Sequence, residues 1–133
     1  MAITRYNAKD CTIQVDGVYI TGLGESMVTG EKNEDLHTSS VGAQGDVVKN
    51  VGNNPLGKVT ITVQSTSPQR GYLRSLGNRT DEFPIWVNNK TLGERFGGTK
   101  ASLLTVPSRE RSAEAGEMEF VFEVFDYTDE DTL

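Results

Sequence analysis

The chain has few of the side chains that cross-link folds or carry chemistry. In 133 residues there is one cysteine, one histidine and one tryptophan. Cys11 cannot form an internal disulfide, so the fold must stand on packing, as expected of a protein assembled in a reducing compartment. It opens an apolar strand pattern and reads as a small buried residue rather than a reactive thiol or an intermolecular bridge. His37 has no second histidine or cysteine near it, which excludes the usual nitrogen and sulfur ligand sets for a metal. It reads as a polar loop residue. No apolar run approaches the ~20 residues of a spanning helix, and the first ten residues have no apolar core of the signal-peptide kind. A soluble protein, not exported by that route, is expected. Cations are also scarce: 13 Lys and Arg stand against 19 Asp and Glu, for a net charge of −6. The nearest approach to a basic stripe, Arg109-Glu110-Arg111, is interrupted by its own carboxylate. Affinity for DNA backbones comes from neutralising phosphates, so this chain is not built to grip nucleic acid.

Catalytic constellations are missing too. No strand–turn–helix elbow presents a nucleophilic serine. Gly22-Leu23-Gly24 lacks the third glycine and the following helix of a dinucleotide loop, and reads as a strand-end turn. Trp86, between Ile85 and Val87, is expected in a strand core position, with a stacking platform as the alternative. Paired carboxylates occur only as Glu117, Glu119 and Glu123 on one strand face. An enzyme is not expected, and no cofactor.

What is present is strand pattern. The length suits a single domain, residues 1–133, able to bury roughly two-thirds of its unfolded surface. Cys11 to Val15 and Val18 to Thr21 alternate in type around Asp16-Gly17, a two-residue signal for a type I′ hairpin. Lys58 to Gln64 puts Val59, Ile61 and Val63 on one face and Thr60, Thr62 and Gln64 on the other. Phe83 to Asn88 and Ala101 to Val106 are two further strands, with Asn89-Lys90 a turn. In the longest strand, Glu117 to Tyr127, Met118, Phe120, Phe122 and Val124 form an apolar face against Glu117, Glu119, Val121, Glu123 and Phe125. One helix is predicted over 68–76: Ser67 caps it, Pro68 sits at its first position, Gly77 ends it, and Tyr72, Leu73 and Leu76 form its apolar stripe. Residues 109–116 read as a polar loop and 129–133 as an acidic, frayed end.

The most informative stretch lies between. Met27 to Lys32 leads into a polar segment of a dozen residues, Asn33, Glu34, Asp35, Leu36, His37, Thr38, Ser39, Ser40, Val41, Gly42, Ala43 and Gln44, after which Asp46 to Val51 brings the chain back. Connections of that length in compact domains are usually functional or disordered. A protruding hairpin arm over about 27–51 is expected, its two flanking runs paired, reaching for a neighbouring molecule. The fold class that follows is mainly β: a small β-sandwich or barrel with one flanking helix and a long arm.

The order of pieces resembles the tail tube proteins of contractile-tailed bacteriophages. It runs from a glycine-rich turn through Glu31 to Asp35, Val41 to Val47 and Gly57 to Val63, then Thr66-Ser67-Pro68 opening a helix with Leu73 and Leu76. The resemblance covers about Asp10 to Tyr127 and is strongest between Glu25 and Leu76. It implies hexameric rings stacked into a hollow tube in the virion tail, assembled in the host cytoplasm. The partners it implies are copies of the chain itself and the sheath, tape-measure, baseplate and tail-terminator proteins, with DNA passing through without specific binding. Related folds serve bacteriocin and type VI secretion tubes. In the tube reading the arm residues 33–44 contact the adjacent ring, and Glu31, Glu34 and Asp46 face the lumen, where an acidic wall repels phosphates. The alternatives are a bacteriocin or secretion tube, a monomeric β-sandwich module binding a ligand on Trp86 or Tyr19, and a small hydrolase using Glu119 and Glu123.

Overall fold

A computed structural model describes residues 2–131. Ten strands dominate it: β1 (Cys11–Val15), β2 (Val18–Tyr19), β3 (Leu23–Lys32), β4 (His37–Val41), β5 (Val47–Val51), β6 (Gly57–Gln64), β7 (Phe83–Asn89), β8 (Glu94–Thr105), β9 (Glu117–Val124) and β10 (Thr128–Asp131). One helix, α1 (Arg70–Ser75), lies between β6 and β7 and continues into a 3-10 turn, Leu76–Asn78. No helix among the described residues is long and apolar enough to cross a membrane.

Eight strands form one antiparallel sheet in the order β2-β1-β7-β8-β9-β6-β3, with β10 added to β8, while β4 and β5 pair only with each other. The long strand β8 is shared between two layers. Its first half, Glu94–Gly98, pairs with β7 and its second half with β9, Ala101 touching both; the register slips against β7 between Ile85 and Phe83, and against β9 between Leu103 and Thr105. Just before the slip against β7, Gly97 lies in the left-handed half of the backbone map, φ +135°, where a residue with a Cβ is strained. The fold is therefore a β-sandwich that is open along one side, since β2 and β3 end the sheet without pairing.

Alternation within the strands fills the space between the layers. Val59, Ile61 and Val63 of β6 meet Phe122, Phe120 and Met118 of β9, and across them lie Ile13 and Val15 of β1 and Phe83, Ile85 and Val87 of β7. Phe83 and Phe122 pack edge to face with centroids 6.0 Å apart, the arrangement that aromatic quadrupoles favour. The helix closes one end of this core through Leu73 and Leu76, both buried, while the Tyr72 hydroxyl donates to the Val15 carbonyl at 3.1 Å.

The β1–β2 hairpin forms as expected, with Asp16 and Gly17 both at positive φ, although β2 stops at Tyr19. The helix is shorter than predicted. Pro68 stays outside it; Ser67 Oγ donates to the Thr21 carbonyl at 2.6 Å and accepts the Gln69 amide at 3.3 Å, so it pins the approach rather than the first turn. Gly77 does not end the helix but sits inside the 3-10 turn. The predicted strand from Ala101 is the second half of β8; its first half was hidden because Gly97, Gly98 and Lys100 interrupt any apolar alternation. The last predicted strand is two. β9 ends at Val124, the chain turns at Phe125 and Asp126, and β10 follows. The acidic end is consequently not frayed as far as Asp131, because Asp129, Glu130 and Asp131 pair with Phe96, Arg95 and Glu94. Residues 132 and 133 lie outside the described residues. Trp86 is not a core residue: alternation from Phe83 gives the interior to Ile85 and Val87 and turns Trp86 to the outer face, where the Arg95 guanidinium stacks on it 3.8 Å from the ring centre. Cys11 is half-buried at the open side of the sandwich, and burial, followed by the charge of Glu94, pushes its thiol above the usual range.

Candidate assembly surfaces

The arm is a hairpin, but a different one from the hairpin expected. Met27 to Lys32 belongs to β3, whose partner is β6, so it does not pair with the 46–51 run. The outgoing strand is β4, formed by the polar segment itself, with His37 opposite Val51 and Val41 opposite Val47. Sequence missed it because His37-Thr-Ser-Ser-Val41 has no apolar alternation. Its strand character comes from Thr, Val and backbone pairing.

Backbone bonds tie off the base of the arm, one to the segment before β6 and one between the arm's own two legs. The Asn33 amide donates to the Leu56 carbonyl at 3.1 Å and the Gly52 amide to the Leu36 carbonyl at 2.9 Å. At the tip, the Gly42 amide donates to the Asp46 carbonyl at 2.8 Å. All of Asn33, Glu34, Asp35, Leu36, His37, Thr38, Ser39, Ser40, Val41, Gly42, Ala43 and Gln44 are exposed, and so is the whole of β5. Leu36 and Val51 are each 69 % exposed, with Val41, Val47 and Val48 in a similar state. An isolated two-stranded hairpin is marginally stable in water. This one presents five large apolar side chains and packs chiefly on itself. Where it meets the domain, Asn33, Glu34, Asp35, His37 and Asn50 line an open recess of about 500 Å³.

A second surface is the outer face of β3, β6, β9 and the end of β8. Register puts Glu31, Lys58, Glu123 and Ser102 in one row across four strands. Thr29, Thr60 and Val121 form the next row, then Thr62 with Glu119 and Gln64 with Glu117. Four carboxylates and one lysine thus share a pleated face whose other members are mostly uncharged. Of the three acidic residues singled out from sequence, only Glu31 lies on this face. Glu34 lies in the turn after β3 at the arm's base, and Asp46 at the arm's tip, roughly 17 Å farther out at the usual rise per residue. The three do not form one patch. Glu119 and Glu123 are the acids that join Glu31; the alternation of β9 already marked their face, but which strand lay beside it was a long-range fact. Just under this region, Tyr127 packs over Gly57 with its hydroxyl toward Gly30. Burial, with Asp129 and Glu31 adding negative charge, pushes its phenol up to about 12.

At the opposite end of the strands is a third surface. Arg70, Arg74 and Arg109 surround a cleft of about 190 Å³ with Gly71 and Met118. Burial first, then the charges of Arg109 and Arg111, lower the pKa of the Arg74 guanidinium.

A family model for the bacteriophage PhiTE tail tube protein matches residues 11–130. The chain belongs to this phage tail tube family. No curated protein matches it. Among solved structures, this tail tube chain is similar to the cap that terminates the tube of the anti-feeding prophage, with a TM-score of 0.71 at 11 % identity over 99 % of this chain and 95 % of that one. It is also similar to the sheath/tube terminator of an extracellular contractile injection system, PVC, in its extended state, at TM-score 0.66 and 12 % identity over 98 % and 99 %. The sheath–tube complex of PVC gives TM-score 0.65 at 12 % identity over 96 % and 93 %. At such identities the likeness concerns the fold, which is mainly β and tail-tube-like. The role that goes with the family is structural, as a component of a tail tube.

Proposed function

We propose that this chain is the repeating subunit of a contractile phage tail tube. Copies join side by side into hexameric rings, and rings stack into a hollow tube that sits in the virion tail after assembly in the host cytoplasm. The observation that carries this reading is the β4–β5 arm, a preformed hairpin with five exposed large apolar residues whose strands pair only with each other among the described residues. Residues 33–44 form most of that arm and would lie against the adjacent ring. The unpaired outer edges of β2 and β3 suit lateral joining, because edge pairing between subunits removes the open edges that a small sheet protein must otherwise protect. Lateral contacts that close make a ring, and axial contacts that do not close make a filament.

In this arrangement the outer face of β3, β6 and β9 lines the lumen. Glu31, Glu119 and Glu123 repel phosphates, so DNA slides past without being held. Glu34 and Asp46, on the arm, lie nearer the junction between rings. Sheath, tape-measure, baseplate and tail-terminator proteins are the partners such a tube requires, and its role needs no catalytic group. The test is negative-stain microscopy of the concentrated purified protein. Stacked six-fold rings are expected; particles that remain monomeric at every concentration would overturn the reading.

A further inference from the structure

The two ends of the domain differ in charge in a way that the tube reading leaves unexplained. β6 runs from the arm end at Gly57 to the helix end at Gln64, a separation of roughly 23 Å. At the arm end lie Glu31, Glu34, Asp35 and Asp129, with Lys32 and Lys58 the nearby cations on the same strands. Glu34 and Asp35 line the recess at the arm's base. At the helix end the cleft between α1 and the 106–116 loop is walled by Arg70, Arg74 and Arg109, and no carboxylate lines it.

Two of the arginines are positioned by hydrogen bonds, and none of the three is paired with a carboxylate. Arg70 donates one nitrogen to the Ser65 carbonyl at 2.7 Å, and Arg74 donates one to the Pro107 carbonyl at 2.9 Å. Arg109 has no side-chain hydrogen bond among the described residues, and the only ion pairs among them are those of Arg79 with Asp16 and Asp81. Glu110, Glu117 and Glu119 line a separate hollow, with Arg111. A guanidinium offers five N–H donors in a planar fork suited to carboxylates. Three of them held around one small cleft form a receptor for acidic side chains. In an acidic chain, that is a localised exception.

We propose that this arginine cleft is the axial docking site for the next copy of the chain, receiving carboxylates of its arm end with Glu34 and Asp35 foremost. The inference rests on the stacked-ring reading and adds which surfaces meet. A shift along the strand direction brings the acidic arm base of one subunit to the arginine cleft of the next, a contact of the heterologous kind that extends without closing. Two arm bases or two arginine clefts brought together would set like charges against each other, so the same charges fix the direction of stacking.

Two double variants and their combination test it, each first checked for an unchanged circular dichroism spectrum and melt. R70E/R109E reverses the cleft, and E34K/D35K reverses the arm base. The concentration needed for stacking should rise roughly tenfold or more in either double variant, with unstacked rings accumulating, and should return to near the parent value when all four changes are combined. The parent's stacking should weaken with added salt as the Debye length falls below ~10 Å. If either double variant stacks like the parent, or the combination stacks no better than the worse double, the docking site is wrong while the tube reading stands. If the parent itself forms neither rings nor tubes, the tube reading fails and this inference with it.

Discussion

Gly97 passes so close to Ile85 that a Cβ on it would overlap the Ile85 carbonyl oxygen. That contact sits just before the register of β8 slips against β7, at a point where no side chain fits. Gly97→Ala meets both the clash and a φ of +135°. We expect a loss of about 2 kcal/mol or more, read as a lowered urea midpoint with the unfolding slope unchanged. A midpoint equal to the parent's would mean that β8 does not pass Ile85 this closely at Gly97.

The helix end of the core depends on Leu76, which is buried against the sheet layers at 3 % exposure. Leu76→Asp buries a charge with no partner, a cost of several kcal/mol. The cooperative thermal transition should be lost. A melt within a few degrees of the parent's would show that the 3-10 turn does not dock through this side chain.

How far these elements were legible in the sequence follows from how local their causes are. The β1–β2 hairpin, β6, the apolar face of β9 and the pair Leu73 and Leu76 were readable because two-residue turn chemistry and period-two or helical spacing act over a few residues. The first half of β8, strand β10 and β4 were not. Their sequences carry glycine, acid or Ser and Thr, and they are strands because a neighbour distant in sequence supplies the hydrogen bonds. Trp86 was misplaced by its apolar neighbours, although Phe83 set the alternation. For the candidate surfaces, the arm's location was visible as a long polar connection, but its pairing was not. The arginine cleft joins α1 to residues more than thirty positions away, beyond the reach of any local pattern.

Tyr127 gives the fold an alkaline limit. Its phenol is held up to about 12 in the folded chain, against ~10 unfolded. Between those values the unfolded state binds fewer protons, so stability falls as pH rises; below pH ~10 this contribution is fully present. Tyr127→Phe keeps the ring on Gly57 and removes the titration. The urea midpoint of the parent should drop more steeply than that of the variant from pH 9.5 to pH 11.5, as read by a circular dichroism titration. Equal slopes would mean that the phenol is as free in the folded chain as in the unfolded one.

The arm should be separable from the fold. Removing 33–44 alone would take β4 and leave β5 without a partner, so the informative deletion is 36–52, joined by a short Gly-Ser link where the Gly52 amide meets the Leu36 carbonyl at 2.9 Å. The melt should shift by only a few degrees, because the arm contributes no buried side chain. Sedimentation should show that stacking is lost. Normal tubes from the shortened chain would remove the arm from the contact between rings.

The last prediction concerns the acidic face. Glu31, Glu119 and Glu123 share the outer side of β3, β6 and β9 with Lys58 as the one cation among them. Changing all three to lysine moves each charge by two, so the subunit's −6 becomes zero, and the face carries four lysines against one remaining carboxylate, Glu117. If this face lines the lumen, tubes of the variant should bind short DNA fragments, with affinity falling steeply as salt rises because each phosphate contact releases a counterion. The parent tubes should bind none. A control with the same exchanges at Glu110, Glu114 and Glu130 keeps the net charge of the variant but leaves this face acidic, so it separates total charge from position. Binding that is equal in variant and control would place Glu31, Glu119 and Glu123 on no special surface, and the repelling wall would have to be made of other residues.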